Sequence, residues 1–194
     1  GCMKMNRRQT AHFEEGTEEE ITLVLSCPGA CEELKGKPAA GKSGENLEGI
    51  LKEVNKLTGT GDWTRGKVTI TNAWDKIEHE CKTGRTEAKI SEIKSSKNLN
   101  RLFCEVKQTK KYIVCFGDKA QKAIQNMMKP YSQNKIKTQP KIINVRHPSL
   151  QSLNQISKDI HGKAIVKKQK DATQKRIEVV AHDLFNQLDL PDTD

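Results

Sequence analysis

Two stretches of this sequence hold residue types at spacings that could do chemistry. Gly36-Lys37-Pro38-Ala39-Ala40-Gly41-Lys42-Ser43 fits the pattern G-x-x-x-x-G-K-S, whose backbone amides and lysine can cradle a nucleotide phosphate. Asp118, after an apolar run, could then serve as the acid that holds magnesium. The turn His147-Pro148-Ser149 presents an imidazole, and Asn72 ends a β-branched run where an Asx-turn is common. Cys27 and Cys31 stand at a C-x3-C spacing, yet no second close pair completes a zinc or cluster site, so no metal is expected. The six cysteines, Cys2, Cys27, Cys31, Cys81, Cys104 and Cys115, are expected to be reduced thiols. Among them Cys104 and Cys115 read as small apolar residues of a helix and a buried strand.

The elements that must position these residues follow from the apolar pattern. Ile21 to Ser26 reads as a strand that turns at Cys27-Pro28-Gly29, and residues 30–41 read as a polar loop. Leu47, Ile50, Leu51, Val54 and Leu57 fall on one face of a helix from Ser43 to Leu57, which Thr58-Gly59 stops. Val68 to Thr71 predicts a second strand, and residues 76–97 an excursion with one weakly patterned helix. Leu99, Leu102, Phe103 and Val106 mark an amphipathic helix. Tyr112 to Phe116, five apolar residues in a row, reads as a strand buried on both faces, followed by a helix from Asp118. A fourth strand, Ile142 to Val145, leads into His147, and a helix is expected through Leu153 and Ile156. A basic run, Lys163 to Lys170, precedes a last amphipathic helix with Ile177, Val180, Ala181, Leu184 and Leu188.

Strands alternating with helices imply an α/β fold, a three-layer αβα sandwich around a central four-stranded, mostly parallel sheet. The C-terminal strand ends of such a sheet share one rim, where ligands bind. Ser26–Gly29, Asn72 and His147–Ser149 would meet there. The division expected is a polar N-terminal arm at 1–20 (mobile, or one short helix), a single domain at 21–188, and a tail at 189–194. With 34 Lys and Arg against 25 Asp and Glu, the chain has a formal charge of +9, which suits a polyanionic partner. No stretch approaches the ~20 apolar residues that span a bilayer, and no secretory segment is evident. A cytoplasmic protein without a membrane partner is therefore expected.

Context argues against the phosphate loop. Such a loop begins where its strand ends, so that its amides wrap the β-phosphate. Here about ten residues separate Ser26 from Gly36, and Pro28-Gly29 already makes the strand-end turn. A nucleotide-hydrolysing enzyme stays as the alternative from a different class.

The rim segments, taken together, resemble the uracil-DNA glycosylase superfamily. Cys27-Pro28-Gly29-x-x-Glu32-x-x-x-Gly36-Lys37-Pro38-x-x-Gly41-x-Ser43-Gly44-x-x-Leu47 is similar to its first motif, and Ile70-Thr71-Asn72 to its strand-end asparagine segment. Phe116-Gly117-Asp118-Lys119-Ala120 resembles its L-G-x-x-A turn and His147-Pro148-Ser149 its closing H-P-S loop. The resemblance spans about residues 21 to 156, in order. It implies a monofunctional DNA glycosylase that flips a target base and hydrolyses its N-glycosidic bond to leave an abasic site. A monomer is expected, and no cofactor, since Cys27 and Cys31 sit inside the loop and not before it, where an iron–sulfur cluster would need them. The resemblance makes His147 the group that stabilises the departing base anion, like an oxyanion-hole donor, and Asn72 the reader of the base edge. Ser26, Cys27, Pro28, Gly29, Ala39 and Ala40 would line the base seat. Lys42, Ser43, Arg146 and Ser149 would grip DNA phosphates, and Leu150, or failing it Leu153, would fill the gap left in the stack.

The sequence also departs from that family. Where many members place a carboxylate or asparagine to orient water, this chain has Ser26 and Cys27, and Cys27 would need a depressed pKa to act. Glu32 and Asp75 become the candidates for water activation, Glu32 first. An aromatic that stacks on uracil is replaced by Ala39-Ala40, which suggests an enlarged seat for a bulky modified base, such as modified cytosine in phage DNA, and an antiviral role. Repair of uracil or another deaminated base, and a DNA-binding relative without catalysis, are the alternatives.

Overall fold

The computed structural model describes residues 8–131 and 139–190. Cys2, Lys4, Arg7 and the end of the C-terminal tail lie outside the described residues. Four strands, β1 (Ile21–Leu25), β2 (Thr69–Asn72), β3 (Tyr112–Phe116) and β4 (Lys141–Val145), form one all-parallel sheet in the order β2-β1-β3-β4. Every strand therefore ends at the same edge, as the α/β expectation required.

Side chains alternate across each strand, and both faces are covered. Leu23, Leu25, Ile70, Val114, Phe116 and Ile143 face one way, against helix α2 (Lys42–Thr58) and helix α8 (Ala172–Asn186). Val24, Ile113 and Cys115 face the other, against α4 (Ile90–Ile93), α5 (Ser96–Val106) and α6 (Asp118–Tyr131). The helices over these two cores are the outer layers of the sandwich. No helix among the described residues is long and apolar enough to cross a membrane.

Several local expectations need correction. The segment read as a polar loop contains a six-residue helix, α1 (Ala30–Lys35), with no buried side chain and hence no apolar period to reveal it. The excursion at 76–97 holds two single turns, α3 (Glu80–Thr83) and α4, in place of one helix. The helix after His147 is one turn, α7 (Leu150–Leu153), and Ile156 reaches the core from the segment beyond it. Cys104 is exposed, on the solvent side of α5, whereas Cys115 is buried as expected.

Residues 8–20 are neither a helix nor a free arm. Glu14 pairs antiparallel with Ile70 through two 2.9 Å hydrogen bonds, so this strap adds to the β2 edge that would otherwise stand open. Phe13 is buried beneath it, with the Arg8 guanidinium 4.7 Å from the ring centroid.

The entry into α2 depends on a glycine. A Cβ at Gly44 would lie 1.8 Å from the Ala39 carbonyl oxygen, a backbone atom that cannot swing away. Gly44→Ala should therefore lower unfolding stability by at least about 1–3 kcal/mol, the range for an overpacked site, in a urea titration.

Candidate active site at the strand-end rim

The rim is stitched from main chain first. Beyond β1 and β2 the pairing continues: Ala73 N–H donates to Leu25 C=O (2.8 Å), Trp74 N–H to Ser26 C=O (3.0 Å) and Glu78 N–H to Pro28 C=O (3.0 Å). On the far side Gly117 N–H donates to Val145 C=O at 2.8 Å. The four strand ends thus form one continuous ledge.

Glu32, on α1, holds the first turn. Its carboxylate accepts from Gly29 N–H at 2.7 Å and from Ala40 N–H at 2.9 Å, so one side chain fixes both the strand-end turn and the loop before α2. Charge-assisted bonds of this kind are about twice as strong as neutral ones. The loop is clamped again from behind by Arg65. Its guanidinium donates to the Pro38 carbonyl and, at 2.7 Å, to the Ala39 carbonyl, while its Nε faces Glu14 of the strap at 3.3 Å. Between these clamps Ala39 is held at φ +48, in the left-handed region that non-glycine residues rarely occupy. Ala39 is 6% exposed and belongs to the core beneath α2. Ala40 is half-buried.

His147 lies two residues past β4, against Gly117. That glycine has φ +91, and a Cβ there would stand 3.1 Å from the His147 Cβ, so a side chain would press on the imidazole. Ser149 N–H donates to His147 Nδ1 at 3.1 Å. In the neutral ring the proton then resides on Nε2, which makes Nε2 a donor. Burial pushes the His147 pKa down to about 4, so the ring is neutral at physiological pH. The loop is anchored from below by Asn46 of α2, which is buried and donates Nδ2 to Pro148 C=O at 2.9 Å.

Cys27 is poorly suited to be a base. Burial, followed by the charges of Glu87 and Glu78, raises its pKa to about 11, and its Sγ–H donates to Thr86 C=O at 3.2 Å. A thiolate is therefore rare at neutral pH. Asp75 lies 3.9 Å from Arg101 Nε, a loose ion pair at the edge of the rim.

Asn72 is 2% exposed, and its Nδ2 donates to the His12 carbonyl of the strap at 3.0 Å. Its backbone carbonyl accepts from Arg101 at 3.0 Å. The described hydrogen bonds join it to the strap and to α5, and none joins it to the His147 turn. Beneath it Glu105, 3% exposed, collects His12 Nε2 (2.8 Å), Thr71 Oγ1 (2.6 Å) and Arg101 (2.6 Å). Burial alone would raise this carboxyl's pKa, but the His12 hydrogen bond and the Arg101 charge outweigh it and leave it lowered.

The remaining sequence candidates sit as follows. Leu150 opens α7 and is 38% exposed, whereas Leu153 is fully buried in the core. Ser149 caps α7 by accepting from Ser152 N–H at 3.2 Å. Arg146 is exposed and donates to Ser152 C=O (3.2 Å) and Gln155 Oε1 (3.0 Å). Lys42 and Ser43 occupy the first turn of α2, with Lys42 Nζ 3.2 Å from Glu45, an exposed pair of little energetic weight. Gly36 ends α1 in a left-handed cap, so a helix and not a strand leads into Gly36–Ser43. That geometry separates the loop from a phosphate-binding loop. No group of three or more His, Cys, Asp or Glu side chains is placed to hold a metal among the described residues.

Sequence reasoning missed Asn46, Arg65, Glu105 and His12. Asn46 and Glu105 carried a signal: each is a polar residue on the apolar face of its helix. Arg65, in a glycine-flanked loop, carried none.

The family model of the uracil DNA glycosylase superfamily matches residues 15–172, most of the chain. No curated protein matches it.

The buried carboxylate under Asn72 makes stability pH-dependent with a definite sign. Because the Glu105 pKa is lower folded than unfolded, its contribution is complete above the ordinary glutamate value of about 4.3 and is lost as pH falls below it. Glu105→Gln should cost about 1–3 kcal/mol at neutral pH and flatten the acid limb of the stability–pH curve from chemical denaturation.

Proposed function

The chain belongs to the uracil DNA glycosylase superfamily, and from that premise we propose that it is a monofunctional DNA glycosylase with its base seat at the strand-end rim. The observation that supports this most is His147: a neutral imidazole whose Nδ1 is occupied by Ser149 N–H, leaving Nε2–H to donate. As the N-glycosidic bond breaks, positive charge develops on the sugar and negative charge on the departing base. A donor fixed in advance at a half-buried position stabilises that anion without reorganising at the moment of reaction. No proton transfer from His147 is needed, and a ring with a pKa of about 4 has no proton to give as a cation at pH 7.

Water completes the hydrolysis. Cys27, held protonated, contributes to the shape of the seat rather than to water activation. In this reading Glu32, with its oxygens on the Gly29 and Ala40 amides, is a positioning residue for the seat. Asn72, 2% exposed with its Nδ2 on the His12 carbonyl, would reach the base edge only after the strap gives up that hydrogen bond. Leu150, exposed at the start of α7, fills the gap in the stack. Ser149, Ser43, Lys42 and Arg146 meet the flanking phosphates, and the enzyme works as a monomer in the cytoplasm.

The choice of base turns on Ala39. An open cup where the family's ring stands would favour a bulky modified pyrimidine and an antiviral role. The packing of Ala39 into the core supports the other alternative, a deaminated base such as uracil and a role in repair.

Incubation with duplexes carrying uracil, hypoxanthine or a bulky modified cytosine, followed by detection of abasic sites, tests the reading. Release of uracil or hypoxanthine is expected. Release of the bulky base alone would reverse the assignment of substrate, and no abasic site from any duplex would overturn the enzyme. His147→Ala should slow single-turnover excision by roughly 10²–10³-fold. The wild-type rate should show no His147 inflection between about pH 5.5 and 8, since a ring poised near its ordinary value of about 6.5 would produce one.

A further inference from the structure

The basic run that the rim does not use forms an ordered surface beside it. After α7 the chain makes a short hairpin. Lys158 bridges antiparallel to Ala164, with Asp159 N–H donating to Lys163 C=O at 2.8 Å and Ile165 N–H to Ser157 C=O at 2.9 Å. Asp159 braces its tip by accepting from the His161 and Lys163 amides, both at 2.9 Å, which also lowers its pKa. The hairpin is pinned at both ends. Ile156 and Ile165 are buried in the core, and the buried Arg176 of α8 donates Nε to Ile156 C=O at 3.0 Å.

Charge is then left over. Lys158, Lys163, Lys167, Lys168 and Lys170 are all exposed, and none has an ion-pair partner among the described residues. Of the acids on this segment, Asp159 caps its own turn and Asp171 pairs with Lys175 at 3.7 Å. Five like charges on one anchored segment repel one another, so the protein alone gains nothing from the arrangement. Its position adds a second observation. Lys158 and Ser157 line the same groove, about 410 Å³, as Arg146, the residue next to His147. Arg146 is bonded to Gln155 on the strand of chain that leads into the hairpin.

We propose that the hairpin at residues 157–165 and the lysines behind it form a second grip on the DNA phosphate backbone, continuous with the rim through Arg146. Each phosphate neutralised would release condensed counterions, so the grip adds affinity that is independent of sequence and sensitive to salt. It holds the duplex while bases are tested, and reads none of them. The proposal takes its polyanion from the glycosylase reading, but its test does not require base excision.

The test is equilibrium binding of the full chain to a short fluorescent duplex without damaged bases, followed by anisotropy over a salt series. The variant carries Lys163→Gln, Lys167→Gln, Lys168→Gln and Lys170→Gln. A control with the same loss of charge carries Lys89→Gln, Lys94→Gln, Lys97→Gln and Lys107→Gln, all exposed residues on or beside α4 and α5, which cover the sheet face opposite α8. The hairpin variant should bind roughly tenfold or more weakly at low salt. The slope of log K against log salt should become shallower by about one for each phosphate that is no longer neutralised. Wild-type slope and affinity in that variant would overturn the proposal, as would an equal loss in the control, which would indicate net charge alone. Loss of binding to anionic lipid vesicles, with duplex binding intact, would likewise reject DNA as the partner. If the wild type excises no base while only the hairpin variant loses its salt slope, the grip stands and the glycosylase reading falls. Normal excision with unchanged slopes means the reverse.

Discussion

The Glu32 carboxylate between two backbone amides is the contact on which the rim depends. A strand-end turn and the loop before α2 are separate pieces of irregular chain, with donors that must be satisfied once they are half-buried. Glu32 satisfies one donor from each, Gly29 N–H at 2.7 Å and Ala40 N–H at 2.9 Å, and so converts two loops into one wall. The other fixings, Arg65 on the Pro38 and Ala39 carbonyls and Gly44 beneath Ala39, make sense only around a loop already held in this place. The strain of Ala39 in the left-handed region is tolerated because the clamps on either side over-determine it.

From that wall the chemistry follows by topology. An all-parallel sheet delivers every strand end to one edge, so residues distant in sequence arrive there without further design. What the fold adds is the electrostatic state of each arrival. Enclosure makes His147 neutral, the Ser149 amide on Nδ1 leaves its proton on Nε2, and burial likewise keeps the Cys27 thiol protonated. Desolvation thus gives two groups of opposite chemical habit the same outcome, a neutral side chain.

Much of the fold was legible because its signals are collective. Tyr112–Phe116 reads as a buried parallel strand from five consecutive apolar residues, and α2 from its helical period, and both stand where expected. Elements that rely on single contacts were not legible. Helix α1 buries nothing, α3 and α4 are single turns, and the strap at 8–20 buries one phenylalanine and is otherwise fastened by isolated hydrogen bonds and ion pairs to distant residues, among them Ile70, Lys67, Asn72 and Glu105. The site was legible in its motifs and less so in its supports. His147 and Glu32 lie on the rim, but Asn46, which anchors the His147 turn, and the strap that engages the Asn72 amide are 60 or more residues from their partners. No local pattern encodes such a pairing.

The central claim is that these turns seat a nucleotide drawn out of the stack. Fluorescence of 2-aminopurine placed beside the target base reports that event directly, whether or not the glycosidic bond is then cut. Saturation of such a duplex with the protein should raise its fluorescence, because eversion of the neighbour removes the stacking that quenches it. A saturated complex with unchanged fluorescence would contradict the account.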